Sequence, residues 1–539
     1  MAFTPMARRL SHWIGTAAAC LGLSAGSAAS AAETIVFQFG EFSRDVSVPS
    51  LVTFTETGTV NEDLRSYLKL LDSPARQSLR TALQQRVPVN AVMASNFLST
   101  ALGERVLEQV VKVIDQPPAI AGPALSSALI LGSGREGDLR LIDVLQAYPT
   151  QTLPVNVAAV LSLTRSLSQQ FNLQNRLFPQ IASINGTPDP GPDLSALARA
   201  GTTRYSTTPF SFPGRDSTTI TAVAYLPATA TADNPAPLVA IAPGLNTNMN
   251  ALLYVGQQLA SHGYAVAALN FPFTSGTAIK AAIKGTGAVP PPNAWYGQPR
   301  TVSHLIDQVE QRWGPRVNTE SVGVLGQSLG GYTVTALAGA ELDWDHLVKG
   351  CAALNDPNKV VLNPAVVWQC DAPGQVVQQR SFRDPRVKAV VAVNPVTNPI
   401  FSPASLKAIA APVLFVSGTN DVFAPPVSQQ LIPFTSIDQP GSLLALQHNG
   451  THLSFLEGTS KLPEFVIGPD QPLARQELRG MALAFFDRHV RDGASAQPLA
   501  APAASSGVLS GSTPLKLLIT PRFSREELNQ VDPGLRQFP

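Results

Sequence analysis

Residues 322–333 read VGVLGQSLGGYT and contain Gly326-Gln327-Ser328-Leu329-Gly330, a G-x-S-x-G pentapeptide. The apolar run Val322, Val324, Leu325 precedes it and a helical pattern follows, so the serine sits on a predicted strand–turn–helix elbow. Glycine on either side allows the backbone to pack closely there, and the helix N-terminus favours developing negative charge. Two further residues complete a set for nucleophilic acyl transfer. The apolar run 412–416 leads into Ser417-Gly418-Thr419-Asn420-Asp421, and the run 444–447 leads into a loop carrying His452. In that chemistry Ser328 attacks, His452 takes its proton and later returns it to the leaving group, and Asp421 orients the imidazole. Two backbone N–H groups must face the developing oxyanion. Leu329, next after the serine, supplies one, and Leu245, after Gly244 in the loop that follows 238–242, supplies the other. The rivals are less well placed. His448 lies close to its strand and is expected to pack locally. Neither Asp384 nor Asp438 directly follows a buried strand, and His262, His304, His346 and His489 stand in helical or insertion contexts.

The elements that must position these residues alternate. Apolar strands are expected at 218–226, 237–242, 265–269, 322–325, 389–393 and 412–416, with helices at 252–262, 300–311 and 473–489 between or after them. Such alternation predicts an α/β fold with a mostly parallel sheet covered by helices on both faces. Ligands of such sheets sit beyond the carboxyl ends of the strands, where Leu245, Ser328, Asp421 and His452 all fall. The chain order Ser…Asp…His is that of α/β-hydrolases.

The 539 residues leave room for more than one domain. With 14% charged residues and a net charge of +1, nothing points to nucleic acid. Residues 1–32 have the layout of a signal peptide: Arg8 and Arg9, an apolar stretch over 13–23, then Ala29-Ser30-Ala31. The chain is therefore expected to be exported to a bacterial periplasm or secreted, with no transmembrane segment after processing. Two cysteines remain, Cys351 and Cys370, and in an exported chain they read as a disulfide; two buried thiols are the alternative. Residues 33–182 begin with a hairpin over 33–48 and turn to helical spacing, with helices expected near 124–131, 139–147 and 155–171. They read as a small, mainly helical domain, and 183–200 as a Pro/Gly linker. The acyl-transfer residues belong to a domain over 201–495. Within it 341–388 is an insertion carrying Trp344, Trp368 and both cysteines, either a roof over the site or a surface excursion. The tail 496–539 opens with an Ala/Ser/Pro/Gly stretch and is expected to be flexible. Neither a metal-ligand cluster nor a phosphate loop stands out, so no cofactor is expected.

Six blocks, PLVAIAPGLN, LASHGYAVAALNFP, VGVLGQSLGG, DPRVKAVVAVNP, APVLFVSGTNDVFAPP and GTHLSF, together resemble the dienelactone-hydrolase-like branch of the α/β-hydrolases over roughly 205–490. That branch includes platelet-activating-factor acetylhydrolases and bacterial polyester hydrolases. Residues 33–180 resemble a helical domain of unknown function found ahead of some bacterial hydrolases. The chain departs from the pattern at Pro243-Gly244, where the family often has His-Gly, and at Gln327, where it has His; the backbone donors survive both changes. Serine in place of the cysteine of true dienelactone hydrolases implies esters of lipids, acyl groups or polyesters. The resemblance thus implies a serine carboxylic ester hydrolase acting on a small-molecule or polymeric ester. A silent fold used for binding, and an acyltransferase or peptidase on the same three residues, are the alternatives. Leu245, Phe271, Phe273, Trp344 and Trp368 are expected either to form an apolar acyl pocket or to belong to the core.

Overall fold

The computed structural model describes residues 31–537 apart from 40–41, 70–71, 88, 135–137, 161–175, 182–192, 215–217, 292–293, 358, 362, 371–378, 460–463, 492–506, 511–515 and 522. The expected signal peptide and most of the expected linker lie outside these residues.

Thirteen strands fall in two sheets among the described residues. In the N-terminal region β1 (Thr34–Phe39) and β2 (Phe42–Ser47) form the expected antiparallel hairpin. A third strand, β3 (Thr152–Asn156), lies parallel to β1; its last two residues fall within the helix expected over 155–171, of which 157–160 are helical and 161–171 lie outside the described residues. Val155 fits either period, and pairing with the free edge of β1 decides for a strand. Helices over Val48–Thr57, Ala101–Val111, Pro118–Ser133 and Leu141–Ala147 pack against this sheet, and Ala91–Leu98 packs on Ala101–Val111 and Pro118–Ser133. Several start at side-chain caps: Ser47, Asn90 and Thr100 each accept a hydrogen bond from a first-turn N–H.

The large sheet has ten strands: β4 (Tyr205–Pro213), β5 (Thr219–Pro227), β6 (Ala236–Ala242), β7 (Ala265–Asn270), β8 (Val317–Gln327), β9 (Val387–Val393), β10 (Val413–Gly418), β11 (Leu443–His448), β12 (Gly507–Ser510) and β13 (Lys516–Thr520). Their spatial order is β12-β13-β11-β10-β9-β8-β6-β7-β5-β4. The six strands from β7 to β11 in that order are parallel, and an antiparallel pair closes each side. The parallel strands read as unbroken apolar runs because both faces are covered. Along β6, Leu238, Ala240 and Ala242 face one core and Val239 and Ile241 the other. Helix Ala294–Trp313 and the elbow helix Leu329–Leu337 fill the first side; Leu253–Ser261 and Gln471–His489 fill the second. The chain leaves β6 for β7 on one side and later enters β8 on the other. The loops after β6 and β8 therefore part at a topological switch point, where a crevice opens.

Three strands of this sheet, β4, β12 and β13, escape the sequence pattern. Polar residues Ser206, Thr207 and Thr208 dominate β4, an edge strand that also tolerates Pro209. The tail expected to be flexible instead extends the sheet. Leu517, Leu518 and Ile519 are buried where β13 pairs with β11, because an apolar edge strand must be covered. Helix Arg525–Val531, started by a Ser524–Glu527 capping box, follows and buries Leu528. Among the described residues no helix is long and apolar enough to cross a membrane.

The insertion folds into helix Trp344–Cys351, a short 3₁₀ turn over Ala352–Asn355 and helix Pro364–Gln369. Cys351 and Cys370 are bonded, with Cα atoms 5.5 Å apart, joining the ends of the two helices. Closing this loop is worth about 3 kcal/mol in the chain-entropy model. Thiol titration of the denatured, unreduced mature protein is expected to find no free cysteine; two free thiols would show that the bond does not form.

Candidate functional site

The elbow depends on contacts that only glycine allows. A Cβ on Gly326 would lie 2.1 Å from the Gly330 carbonyl oxygen, and one on Gly330 would lie 2.0 Å from that of Ala242. The helix after the serine thus starts in direct contact with the backbones of β8 and β6. The turn leaves Ser328 at φ 57° and ψ −116°, a region costly for any residue with a side chain, by about 1–3 kcal/mol. The surrounding structure holds it there: Ser328 N–H donates to Val393 O at 2.8 Å, and Ser328 O accepts from Tyr332 N at 3.0 Å. The Leu329 N–H lies in the first helical turn, where it has no intrahelical acceptor.

Facing it is the loop after β6. Asn246 has φ 57°, and its N–H donates to Thr274 O at 2.8 Å, which holds Leu245 against the elbow. A buried polar chain braces this loop. Gln298 Nε2 donates to Thr274 Oγ1 at 2.7 Å, and Gln298 Oε1 lies 2.8 Å from Thr333 Oγ1 on the elbow helix. Leu245, Ser328, Leu329 and His452 line one cavity of about 780 Å³.

His452 reaches the cavity from the loop after β11. Its Nδ1 lies 2.6 Å from Asp421 Oδ2, and Asp421 is 1% exposed. The other carboxylate oxygen accepts from Phe423 N at 2.8 Å and Ala424 N at 2.7 Å, so the loop after β10 fixes the orientation of Asp421. Sequence reasoning missed what fixes the histidine loop. Asn394, at the end of β9 with φ 43°, donates through Nδ2 to Thr451 O and His452 O and accepts through Oδ1 from Gly418 N. Gln327, where the resembling family has histidine, donates through Nε2 to His452 O at 3.2 Å. The signal for Asn394 was its place just after a buried strand, like Asp421.

The rivals fall elsewhere. His448 packs on Phe178 at 5.1 Å, and burial, then Lys516, lowers its pKa. Asp384 chelates Arg386, and Asp438 pairs with Lys407 at the surface. His489 packs against Phe485, and burial, then Arg488, pulls its pKa to about 4.

The expected aromatic wall is only partly formed. Trp368, from the insertion, lines the cavity, but Trp344 is core, stacked edge-on against Tyr296 at 5.4 Å, and Phe271 is buried in the sheet packing. Phe273 is not in the cavity lining. In their place Phe423, unforeseen and 40% exposed, lies 5.4 Å from the His452 ring, while Val396 and Leu456 add apolar surface. Asn246, Asn248 and Asn250 make the opposite wall polar, and Glu457 is the one charged side chain among the described lining residues besides His452, which carries charge only when protonated.

Behind the histidine loop lies a buried carboxyl. Glu477 is 9% exposed; burial, assisted by Asp470, raises its pKa to about 7 against the opposing hydrogen bond from Gln447. Gln447 Nε2 donates to Glu477 Oε2 at 2.6 Å, and Gln447 O accepts from Thr419 N and Gly450 N in the two loops carrying Asp421 and His452. A carboxyl whose folded pKa is raised contributes stability that is full below its unfolded value, near 4.5, and lost as pH rises through about 7. Replacing Glu477→Gln keeps the acceptor and removes the titration. Denaturant unfolding is expected to show the variant gaining about 2–3 kcal/mol on the parent between pH 5 and pH 8. A difference that stays constant with pH would refute this.

Residues 31–156, which precede the ten-stranded sheet, match a family described as an alpha/beta hydrolase of unknown function (DUF1400). A comparison with curated proteins gives no match. With a parallel sheet covered on both faces, a serine elbow after β8 and a crevice at the switch point, the chain has the α/β-hydrolase fold.

Proposed function

We propose that the protein is an exported serine hydrolase that cleaves carboxylic esters through an acyl-enzyme, within the dienelactone-hydrolase-like branch that its sequence resembles. The observation that carries this reading is the meeting of Ser328 and His452 in one cavity, with Asp421 buried behind the imidazole at 2.6 Å. In this reading Ser328 Oγ attacks the ester carbonyl while His452 Nε2 takes its proton, and Asp421 holds Nδ1–H. The carbonyl oxygen becomes an oxyanion that accepts from the N–H groups of Leu245 and Leu329. Collapse breaks the ester C–O bond, and His452 returns the proton to the departing alkoxide. Water, deprotonated by the same nitrogen, then hydrolyses the acyl-serine and restores Ser328. Export rests on the layout of residues 1–32.

The cavity lining supports neutral substrates. It offers no lysine or arginine among the described residues, and Glu457 disfavours anions. The apolar wall around Trp368 and Phe423 suits an acyl chain, each buried methylene contributing about 0.8 kcal/mol.

Ser328→Ala is expected to lower kcat by at least about 10³-fold with folding intact, His452→Ala by a similar factor, and the double variant by no more than either. His448→Ala should stay near the parent; the reverse pattern would assign the base to His448. On a panel of nitrophenyl esters, kcat/KM is expected to rise with acyl length to an optimum. A flat profile, or faster cleavage of amides than esters, would end the esterase reading.

A further inference from the structure

The N-terminal region grips the insertion at one point. Four oxygens surround Lys112 Nζ: Leu354 O at 2.7 Å, Asp356 O and Lys359 O at 2.9 Å, and Gln109 Oε1 at 3.0 Å. An ammonium has three protons, so this cage saturates it. Gln109, 1% exposed, adds a bond from Nε2 to Leu354 O at 2.9 Å and accepts from Val361 N at 3.2 Å. Beside them Val106 packs on the buried cluster of Leu354, Val367 and Cys370. The grip is rooted in a rigid base, since Ile114 bridges to Val155 of β3 and Val111 and Ile114 belong to the N-terminal core.

What is gripped reaches the cavity. The gripped residues Leu354, Asp356, Lys359 and Val361 precede helix Pro364–Gln369, whose Ala365 and Trp368 line the cavity and whose far end is tied by Cys370 to Cys351. Six residues are far too few to hold helical structure alone, so position depends on tertiary anchors. The sheet domain provides an inner one: Gln369, fully buried, donates to Asn398 O and accepts from Ile400 N. The outer anchor is the lysine cage.

We propose that Lys112 and Gln109 are positioning residues that hold the Ala365–Trp368 wall of the cavity, so that the N-terminal region sets how an acyl chain is bound without touching the reacting atoms. As far as substrate is concerned, this rests on the esterase reading above. Its direct consequence is mechanical: releasing the cage frees 352–370 while leaving Ser328, His452 and Asp421, held by other elements, as they are.

The test compares the full-length mature protein with its Lys112→Met variant by two independent measurements. Hydrogen exchange of peptides spanning 352–370 is expected to accelerate about tenfold or more, with the elbow helix unchanged. With a medium-chain nitrophenyl ester, KM is expected to rise about 5–20-fold while kcat and the labelling rate of Ser328 by a small fluorophosphonate stay within about twofold. The chain-length optimum should flatten as the wall loosens. Trp368→Ala should flatten it likewise, and adding Lys112→Met to it should change KM no further, a coupling that general destabilisation would not produce. Should Lys112→Met fail to fold, Gln109→Ala, which keeps the cation, is expected to show the same shifts in smaller measure. Exchange and KM both at parental values would overturn the proposal. If the parent itself neither takes the fluorophosphonate nor cleaves esters, the esterase reading fails, and the exchange measurement alone still decides whether the cage holds the wall.

Discussion

The constraint on which the structure turns is the contact of three backbones at the elbow. Gly326, Gly330 and Ala242 approach so closely that any side chain on either glycine would meet a carbonyl oxygen at about 2 Å. This contact draws the start of the elbow helix against β6 as well as β8, forces Ser328 into a left-handed φ, and brings the loop after β6 opposite the Leu329 N–H. All nine residues of the elbow helix are buried, so the strain at the serine is held by packing that it cannot relax without disrupting. The strained residue and the crevice at the switch point are two results of one geometric fact.

Around that fixed centre, buried amides rather than charges hold the loops. Asn394 ties the end of β10 to the loop of His452, Gln327 reaches the same loop, Gln298 braces the loop after β6, and Gln369 seats the insertion helix. A carboxamide both donates and accepts, so one residue can join two backbones that share no strand pairing. None of these links carries net charge, so none incurs the larger desolvation cost of a buried ion. Two ionisable groups stand apart. Asp421 spends its acceptor capacity on two N–H groups and an imidazole, whereas Glu477 has one amide donor, and burial raises its pKa.

The N-terminal region is joined to the sheet domain by a few strong points. The lysine cage lies on the insertion after the elbow helix, and Asn96 Nδ2 donates to Ile283 O on the excursion after β7 at 2.6 Å. The excursion after β7 leaves the carboxyl-terminal side of the sheet, on which the cavity opens, and the insertion reaches that cavity through Ala365 and Trp368. Open backbone carbonyls at loop ends are natural targets for such a grip, since they need donors that their own loop does not supply.

The sequence by itself determined the α/β class, the serine elbow and the ends of the buried strands. These are local matters: apolar runs covered on two faces, helical periodicity and glycine at a crowded turn are written within a few residues of one another. It also placed Ser328, Asp421, His452, Leu245 and Leu329 at strand ends, because in such a sheet position along the chain fixes position at the rim. Tertiary structure alone decided the rest. β13 became a strand because a sheet edge was free to pair with it, although its own residues read as tail, and Val155 joined β3 for the same reason although it stands where a helix was expected to begin. Trp344 went to the core while Trp368, in the same insertion, turned to the cavity; both are large and apolar, and only the packing of neighbouring helices tells them apart. Gln298 and Lys112 carry no sequence signature, and Asn394 carries only its place after a buried strand, since each acts on a carbonyl or loop that approaches it only once the chain has folded.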